Sequence, residues 1–290
     1  MESSISSGAD SGADSGTDPG TNSGATSDGS QLDIAALPTA DRAALFEFLQ
    51  RIGDDRLVLG HRLSEWCGHA PILEEDIALG NIALDLLGQA TRALELAGEA
   101  ENAGRSADAL AYFREAIDFR NLQLVELPPG DFGYTITRQF FFDAFSIHFM
   151  DALQNSTHAE LAALAVKATK EERYHLRHSS EWMIKLGQGT EESHARVQRS
   201  VNELWRFVGE MFKVDEVDRR MAQLGIAPLA SDFRARWDSV VSDVLARAEL
   251  DHPQDEFFAR GGRVGHHTEY LGHMLAEMQI VARSHPGVEW

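Results

Sequence analysis

The sequence is poor in cysteine, in basic residues and in long apolar runs, and each shortage excludes a class of protein. Of its 290 residues only 26 are Lys or Arg, against 46 Asp or Glu, which gives a formal net charge of −20. Such a charge disfavours binding to a nucleic-acid backbone or an anionic membrane through the overall field. Cys67 is the single cysteine, so the chain cannot form an internal disulfide, which suits a reducing compartment.

No stretch approaches the roughly 18 uninterrupted apolar residues that a membrane-spanning helix requires. The first residues also lack the positive charge followed by an apolar run that marks a secretory signal. We therefore expect a cytoplasmic protein with neither a membrane nor a nucleic acid as its partner. Its hydrophobic content of 43% is sufficient for a large core.

Residues 1–30 differ in composition from the rest of the chain. They contain nine Ser, six Gly and five acidic residues, no Lys or Arg, and Ile5 as their only branched aliphatic residue. A segment of this kind cannot bury enough apolar surface to offset its conformational entropy. We expect a disordered Ser/Gly/Asp-rich tail at residues 1–30, followed by a helical domain at residues 31–290.

Apolar periodicity and helix-terminating residues predict helices throughout residues 31–290, and no alternating run predicts a strand. Apolar residues cover so much of the helix predicted at residues 72–97 that we expect it to be buried nearly all round. Gly53 is expected to end the first helix, and Asp54 and Asp55 to cap the second. The predicted helices span residues 41–52, 56–69, 72–97, 106–126, 134–154, 158–186, 191–212, 231–249 and 266–283.

The order and lengths of these helices predict an all-α, ferritin-like bundle with extra C-terminal helices. Residues 56–69 and 72–97 form one predicted hairpin, and residues 134–154 and 158–186 form another. A long crossover with its own helix joins the two hairpins, which is the ferritin-like topology.

Bundles of this class hold two irons with a Glu from each of two helices and a Glu-x-x-His pair from each of the other two. The second predicted hairpin contains part of this pattern. Glu172 and His175 have the required spacing, and Asp143 lies in an apolar run at a similar distance before the turn. Residues three apart share a helical face, so Glu172 and His175 can reach one site.

The first predicted hairpin does not complete the pattern. Asp85 is followed by Gly88 where a His is required, and Gln89 is a poor replacement. The preceding helix offers Arg56 at the level where a Glu is required. Asp85, Asp143, Glu172 and His175 would supply too little charge and too few donors for two irons, so we expect no bound metal and a vestigial site.

Buried carboxylates without metal need another cation or protons. The candidates for this cation are Arg56, Arg138, Lys170 and His175. As an alternative without any site, Asn81, Asp85 and Gln89 form a polar stripe that could simply fix helix register. His266, Glu269 and His273 also share helical spacing, but they do not match the zinc-protease pattern. The residues alone assign no catalytic or cofactor-binding role.

Several motifs, in order, resemble the family of C subunits of the bacterial ring 1,2-phenylacetyl-CoA epoxidase. The resemblance covers about residues 40–282. The motifs are SEWCGHAP at 64–71, NIALDLLGQ at 81–89, GDFGY at 130–134, RQF at 138–140, ERYHLR at 172–177, SEW at 180–182, GGR at 261–263, HTE at 267–269 and AEMQ at 276–279.

The resemblance implies a ferritin-like subunit of a multicomponent monooxygenase in phenylacetate catabolism. In such a complex a catalytic A subunit holds the di-iron centre and binds phenylacetyl-CoA. A reductase supplies electrons through flavin and an iron–sulfur cluster. The C subunit is implied to be a structural, non-catalytic partner that stabilises the A subunit in a hetero-oligomer, and to hold no cofactor itself.

Two other functions stay open at this point. The chain could be a catalytic di-iron oxygenase in its own right, with Asp85, Asp143, Glu172 and His175 as a reduced ligand set. It could also be an acidic helical interaction protein unrelated to oxygen chemistry.

Overall fold

The computed structural model describes residues 34–254 and 258–288, and the predicted tail at residues 1–30 lies outside them. All regular elements of the described residues are helical, which confirms the all-α prediction. No described helix combines the length and the apolar character needed to cross a membrane. The α-helices are α1 (Thr39–Ser64), α2 (Leu73–Glu101), α3 (Ala107–Tyr112), α4 (Gln123–Glu126), α5 (Phe132–Leu153), α6 (Ala159–Gly187), α7 (Glu191–Val208), α8 (Glu216–Gln223), α9 (Arg234–Arg247) and α10 (Glu269–Ser284).

Four long helices form the central bundle. Helix α1 packs along α2, α5 packs along α6, and α2 contacts α6. Short connections make α1–α2 and α5–α6 antiparallel hairpins, and residues 102–131 cross from one hairpin to the other through α3 and α4. Two hairpins joined by one long crossover confirm the predicted ferritin-like arrangement.

The predicted break at Gly53 is wrong, because α1 continues through this residue to Ser64. A Cβ atom at Gly53 would lie 2.7 Å from the side chain of Leu94 on α2. Glycine is therefore needed here for the close approach of α1 and α2, and it does not end the helix. The sequence pattern does not distinguish these two uses of glycine.

Asp54 and Asp55 are not helix caps either, since both lie buried in the middle of α1. Asp54 forms an ion pair with Arg114 and accepts a hydrogen bond of 2.8 Å from the backbone N–H of Arg120. Asp55 accepts a hydrogen bond of 2.8 Å from the backbone N–H of Leu122. The two carboxylates thus bind the crossover to α1.

These contacts explain why the helix predicted at residues 106–126 is interrupted. Helix α3 ends at Tyr112, and helical structure returns only in a short 3₁₀ turn at Ala116–Asp118 and in α4. The backbone donors of Arg120 and Leu122 serve carboxylates of α1 instead of an intrahelical ladder. Buried backbone groups must be paired, and here the partner comes from tertiary structure.

Helix α2 is not buried all round, which corrects the expectation for residues 72–97. Its inner face packs on α1 and α6, but Leu73, Ile77 and Leu84 are 71%, 56% and 67% exposed. The hydropathy of a helix does not say which of its faces another element covers. An apolar outer face therefore remains on α2.

Aromatic side chains join the second hairpin to the later helices. Phe141 of α5 packs against Trp205 of α7 and Trp237 of α9, with ring centroids 5.8 Å apart in both pairs. The indole N–H of Trp237 donates to the backbone carbonyl of Phe141 at 2.9 Å. This cluster holds α5 in position from its outer side.

The later helices follow the predicted order, with one addition. The last helix, predicted from residue 266, begins as α10 at Glu269. Helix α8 was not expected, because it has only eight residues and buries only Met221. Asp215 caps α8 by accepting from the backbone N–H groups of Val217 and Asp218.

We predict that Gly53→Ala lowers the free energy of unfolding by about 1 kcal/mol or more, because the buried Leu94 side chain must move. The matched control is Gly80→Ala in α2, where an added Cβ meets no atom within 4 Å. The control should raise the free energy of unfolding by about 0.5–1 kcal/mol through helix propensity. Urea unfolding of both variants measures the difference, and equal shifts would contradict the close approach of α1 and α2.

Candidate functional site

Four helices place ionisable side chains at one level of the bundle. Arg56 comes from α1, Asp85 from α2, Asp143 from α5, and Glu172 and His175 from α6. We call these five residues the charged cluster. Arg56, Asp143, Glu172 and His175 are buried, and Asp85 is partly exposed.

Asp143 is fully buried and is held by two hydrogen bonds. The side-chain amide of Gln139 donates to its Oδ1 at 2.6 Å, and the Ser179 hydroxyl donates to its Oδ2 at 2.7 Å. Burial raises the pKa of Asp143 to about 7, while His175 opposes this rise and Glu172 adds to it. The carboxyl group of Asp143 is therefore harder to ionise than that of an exposed aspartate.

Glu172 is fully buried, and neither of its oxygens has a hydrogen-bond partner among the described residues. Two cationic groups lie slightly farther away. Arg56 Nη2 is 3.8 Å from Oε1, and His175 Nδ1 is 3.8 Å from Oε2. Burial opposes ionisation of Glu172, but His175 and Arg56 outweigh it and hold the pKa of Glu172 below its ordinary value.

His175 connects the buried carboxylates to the surface of α2. Its Nε2 lies 3.2 Å from Oδ2 of Asp85, whose side chain is 39% exposed. Burial disfavours the imidazolium, but the hydrogen bond to Asp85 and the charge of Glu172 outweigh it and raise the pKa of His175 to about 10. His175 is therefore a cation at neutral pH.

Arg56 enters the cluster from the position where a metal-binding helix would offer a carboxylate. Its Nε donates to Gln89 Oε1 at 2.7 Å, and its Nη2 donates to Ser146 Oγ at 2.9 Å. Gln89 in turn donates to Glu171 at 2.9 Å. Burial lowers the pKa of Arg56, but arginine remains protonated in proteins.

The chain itself supplies the positive charge that the buried carboxylates need. Of the four cations considered from the sequence, Arg56 and His175 lie in the cluster. Arg138 donates to the backbone carbonyls of Leu127 and Pro128 instead, and Lys170 is exposed on α6. An arginine–carboxylate network, extended by a histidine, neutralises the cluster.

This donor set does not fit a pair of irons. Asp143, Glu172 and His175 have ligand atoms within 4.8 Å of one another, and they are the only such group among the described residues. Both oxygens of Asp143 already accept hydrogen bonds, and a guanidinium lies against Glu172. Gly88, at the position of the missing His, is exposed. The cluster thus offers fewer donors than the two-iron pattern and a fixed cation in addition.

The structure brings together all four residues selected from the sequence, but it gives Asp85 a separate role at the surface. Sequence reasoning missed Gln139, Ser146 and Ser179. Gln139 and Ser146 lie four before and three after Asp143, and Ser179 lies four after His175. This helical spacing was a usable signal, since polar residues on the face of a buried charged group are expected to hydrogen-bond to the charged groups of that site.

The alternative group near the last helix does not form a metal site. His266, Glu269 and His273 are not brought together as ligands in the described part of the chain. The neighbouring His267 instead places Nδ1 3.0 Å from Glu126 and Nε2 3.1 Å from the carbonyl of Phe119. These contacts fasten the entrance of α10 to the crossover.

Two comparisons with known proteins bear on the identity of the chain. A protein-family model described as "Phenylacetic acid catabolic protein" matches residues 30–290. The C subunit of the 1,2-phenylacetyl-CoA epoxidase of Escherichia coli (strain K12) is 47% identical over 246 residues, which cover 85% of this chain and 99% of that protein. The resemblance drawn from the sequence motifs is confirmed.

We predict that Arg56→Met lowers the free energy of unfolding by about 3–5 kcal/mol, because it leaves Glu172 buried without its guanidinium. The double variant Arg56→Met/Glu172→Gln should recover much of this loss, since both charges are then removed. Arg247→Met on the exposed surface of α9 is the control and should change stability by about 0.5 kcal/mol or less. The single variant Glu172→Gln completes the comparison. If the loss of stability in the double variant equals the sum of the losses in the two single variants, Arg56 and Glu172 do not stabilise each other.

The pKa of His175 also predicts a pH dependence. Because this pKa is raised from 6.5 to about 10 in the folded chain, the stabilisation is complete below pH 6.5 and is lost as the pH rises towards 10. The free energy of unfolding should fall between pH 7 and 9.5, by about 1.4 kcal/mol per pH unit at most. In urea titrations His175→Gln should flatten this slope, and an unchanged slope would argue against a charged His175.

Proposed function

Because the chain belongs to the phenylacetic acid catabolic protein family, we propose that it is the structural, non-catalytic subunit of a di-iron monooxygenase complex. The complex would epoxidise the ring of phenylacetyl-CoA in phenylacetate catabolism. This proposal follows the name of the relative from Escherichia coli, which is the C subunit of such an epoxidase. The role of this chain would be to stabilise the catalytic A subunit.

Arg56 is the observation that carries the non-catalytic part of the proposal. Its guanidinium lies 3.8 Å from Glu172 and is fixed by Gln89 and Ser146. A metal pair at this level would be repelled by a permanent positive charge and would lack a carboxylate from α1. The cluster is thereby suited to holding four helices together without metal.

The rest of the assembly follows from the same proposal. The di-iron centre and the site for phenylacetyl-CoA would lie in the catalytic A subunit. Flavin and an iron–sulfur cluster would lie in the reductase, and this chain would hold no cofactor. The complex would be a cytoplasmic hetero-oligomer. The separation of a disordered tail at residues 1–30 from a domain at residues 31–290 remains part of the proposal.

The two other functions have less support. A catalytic di-iron oxygenase built on Asp85, Asp143, Glu172 and His175 would have to accommodate Arg56 inside its own metal site. An interaction protein unrelated to oxygen chemistry does not agree with membership of the family. Iron content separates the first of these from our proposal.

We predict that the catalytic subunit from the same organism yields soluble, active protein when co-expressed with this chain, and little when expressed alone. The expected reason is that a partner surface of the catalytic subunit stays uncovered without this chain. Soluble yield and epoxidation of phenylacetyl-CoA are the measurements. A catalytic subunit that is equally soluble and active alone would contradict the structural role.

Iron analysis of the complex tests the non-catalytic role separately. Asp143→Asn in this chain keeps the size of the side chain and should leave iron per complex and epoxidation nearly unchanged. Asp243→Asn on the exposed face of α9 is the control for the substitution itself. If Asp143→Asn removes iron and activity while the complex remains assembled, this chain is a catalytic di-iron protein.

A further inference from the structure

The outer face of α2 changes character along the helix. Towards its C-terminal end the exposed positions are polar, as at Glu95 and Glu99. Towards its N-terminal end a largely exposed ridge runs through apolar and small residues. We call it the α2 ridge, and its members are Leu73, Ile77, Gly80, Leu84 and Gly88. Contiguous apolar surface of this kind on a water-facing helix marks an interaction site.

The two glycines give the ridge a specific shape. Gly80 and Gly88 lie four residues before and four after Leu84, on the same helical face. A Cβ added at either position meets no atom of the described residues within 4 Å, so no contact among them requires a glycine there. Each costs about 0.5–1 kcal/mol of helix stability relative to alanine. A projecting leucine between two gaps suits close packing of another helix.

The exposed face of α6 carries a row of positive charge. Lys167, Lys170, Arg173 and Arg177 follow one another at intervals of three or four residues, and all four are exposed. We call them the α6 basic row. Among the described residues, an acidic partner within 4.0 Å is found only for Lys167, whose Nζ is 3.5 Å from Glu171. Such a row is unusual in a chain with a net charge of −20.

The α2 ridge and the α6 basic row lie on the exposed faces of two helices that contact each other. Helix α2 contacts α6 along a seam where Asp85 pairs with His175 at 3.2 Å and Glu75 pairs with His178 at 2.8 Å. An occupant that covers both exposed faces would meet apolar groups on α2 and cations on α6. Electrostatic complementarity then requires acidic side chains opposite α6.

We propose that the α2 ridge and the α6 basic row form the face on which the catalytic subunit of the complex packs. That subunit would present a helix whose large apolar side chains fill the gaps at Gly80 and Gly88. It would present acidic side chains to the α6 basic row. This inference rests on the proposed function, since it takes the catalytic subunit to be the partner.

Two other occupants fit the surface less well. Residues 1–30 contain Ile5 as their only branched aliphatic residue, so they cannot cover the α2 ridge with apolar surface. A second copy of the chain would bring a formal charge of −20 against another of −20. This overall repulsion disfavours self-association. A heterologous bundle with its own apolar face remains the occupant that the surface favours.

Covering the seam would also affect Asp85. This side chain is 39% exposed and connects the surface to the buried His175. A partner seated on the α2 ridge would exclude water from Asp85 and strengthen its interaction with His175. The docking surface and the charged cluster would then be joined through a single residue.

Gly88→Leu and Leu84→Arg, made separately in the full chain, test the α2 ridge. Each should weaken binding to the catalytic subunit about tenfold or more, as measured by calorimetric titration. The matched control is Gly272→Leu in α10, where an added Cβ also meets no atom within 4 Å. Urea unfolding should show that Gly88→Leu and Gly272→Leu leave the isolated chain at least as stable as before.

The possible results distinguish a failure of the proposed docking surface from a failure of the proposed function. If the unaltered chain and both ridge variants bind the catalytic subunit equally well, the α2 ridge is not the docking surface. The proposed function is unaffected by that result. If Gly272→Leu weakens binding to the catalytic subunit as much as the ridge variants do, the α2 ridge is likewise not the docking surface. If the isolated chain forms a dimer and Leu84→Arg dissociates that dimer, the α2 ridge binds a second copy of the chain and not the catalytic subunit. No binding of the unaltered chain to the catalytic subunit would count against the proposed function itself.

A charge reversal tests the α6 basic row. Lys170→Glu/Arg173→Glu should slow association with the catalytic subunit about tenfold at low salt, and the difference should shrink as salt is raised. Arg236→Glu/Arg247→Glu on α9 makes the same change in net charge and serves as control. Equal slowing by both pairs would mean that only net charge matters, and it would overturn the role of the row.

Discussion

The contact between Arg56 and Glu172 is the constraint on which the centre of the bundle depends. A carboxylate with no exposed surface and no hydrogen-bond partner is unstable unless a cation lies close to it, and here the guanidinium is 3.8 Å away. To bring it there, α1 must approach α6, and Gln89 of α2 and Ser146 of α5 must accept from the same guanidinium. One charge therefore fixes the level of all four central helices. In a catalytic bundle of this class, metal ions perform that task.

Other buried carboxylates hold loops against the helices. Asp54 and Asp55 hold the crossover against α1, and Glu210 accepts hydrogen bonds from the backbone N–H groups of Gln123, Gly261 and Gly262. Loops that pass over a large bundle have unpaired backbone donors, and an acidic side chain from the bundle can satisfy several of them at once. Part of the acidic excess of the sequence is thus structural and lies inside the molecule.

The sequence predicted the parts of the site that depend on spacing within one helix. Glu172 and His175 share a face because they are three residues apart, and Asp143 stands out because its neighbours are apolar. It did not predict the continuity of α1, since the reason for Gly53 is Leu94 on another helix. The interruption after α3 was likewise hidden, because Arg114 meets Asp54, 60 residues earlier. The exposure of Leu84 depends on which elements happen to cover α2, and the local pattern contains no such information.

A guanidinium that belongs to the polypeptide is present from the moment of synthesis, whereas a metal ion has to be delivered. Neutralisation of Glu172 by Arg56 therefore requires no iron, no oxidation state and no loading step. A subunit built in this way can reach its folded form in a cell that is starved of iron. Under the proposed function, this chain would fold before the catalytic subunit has received its metal.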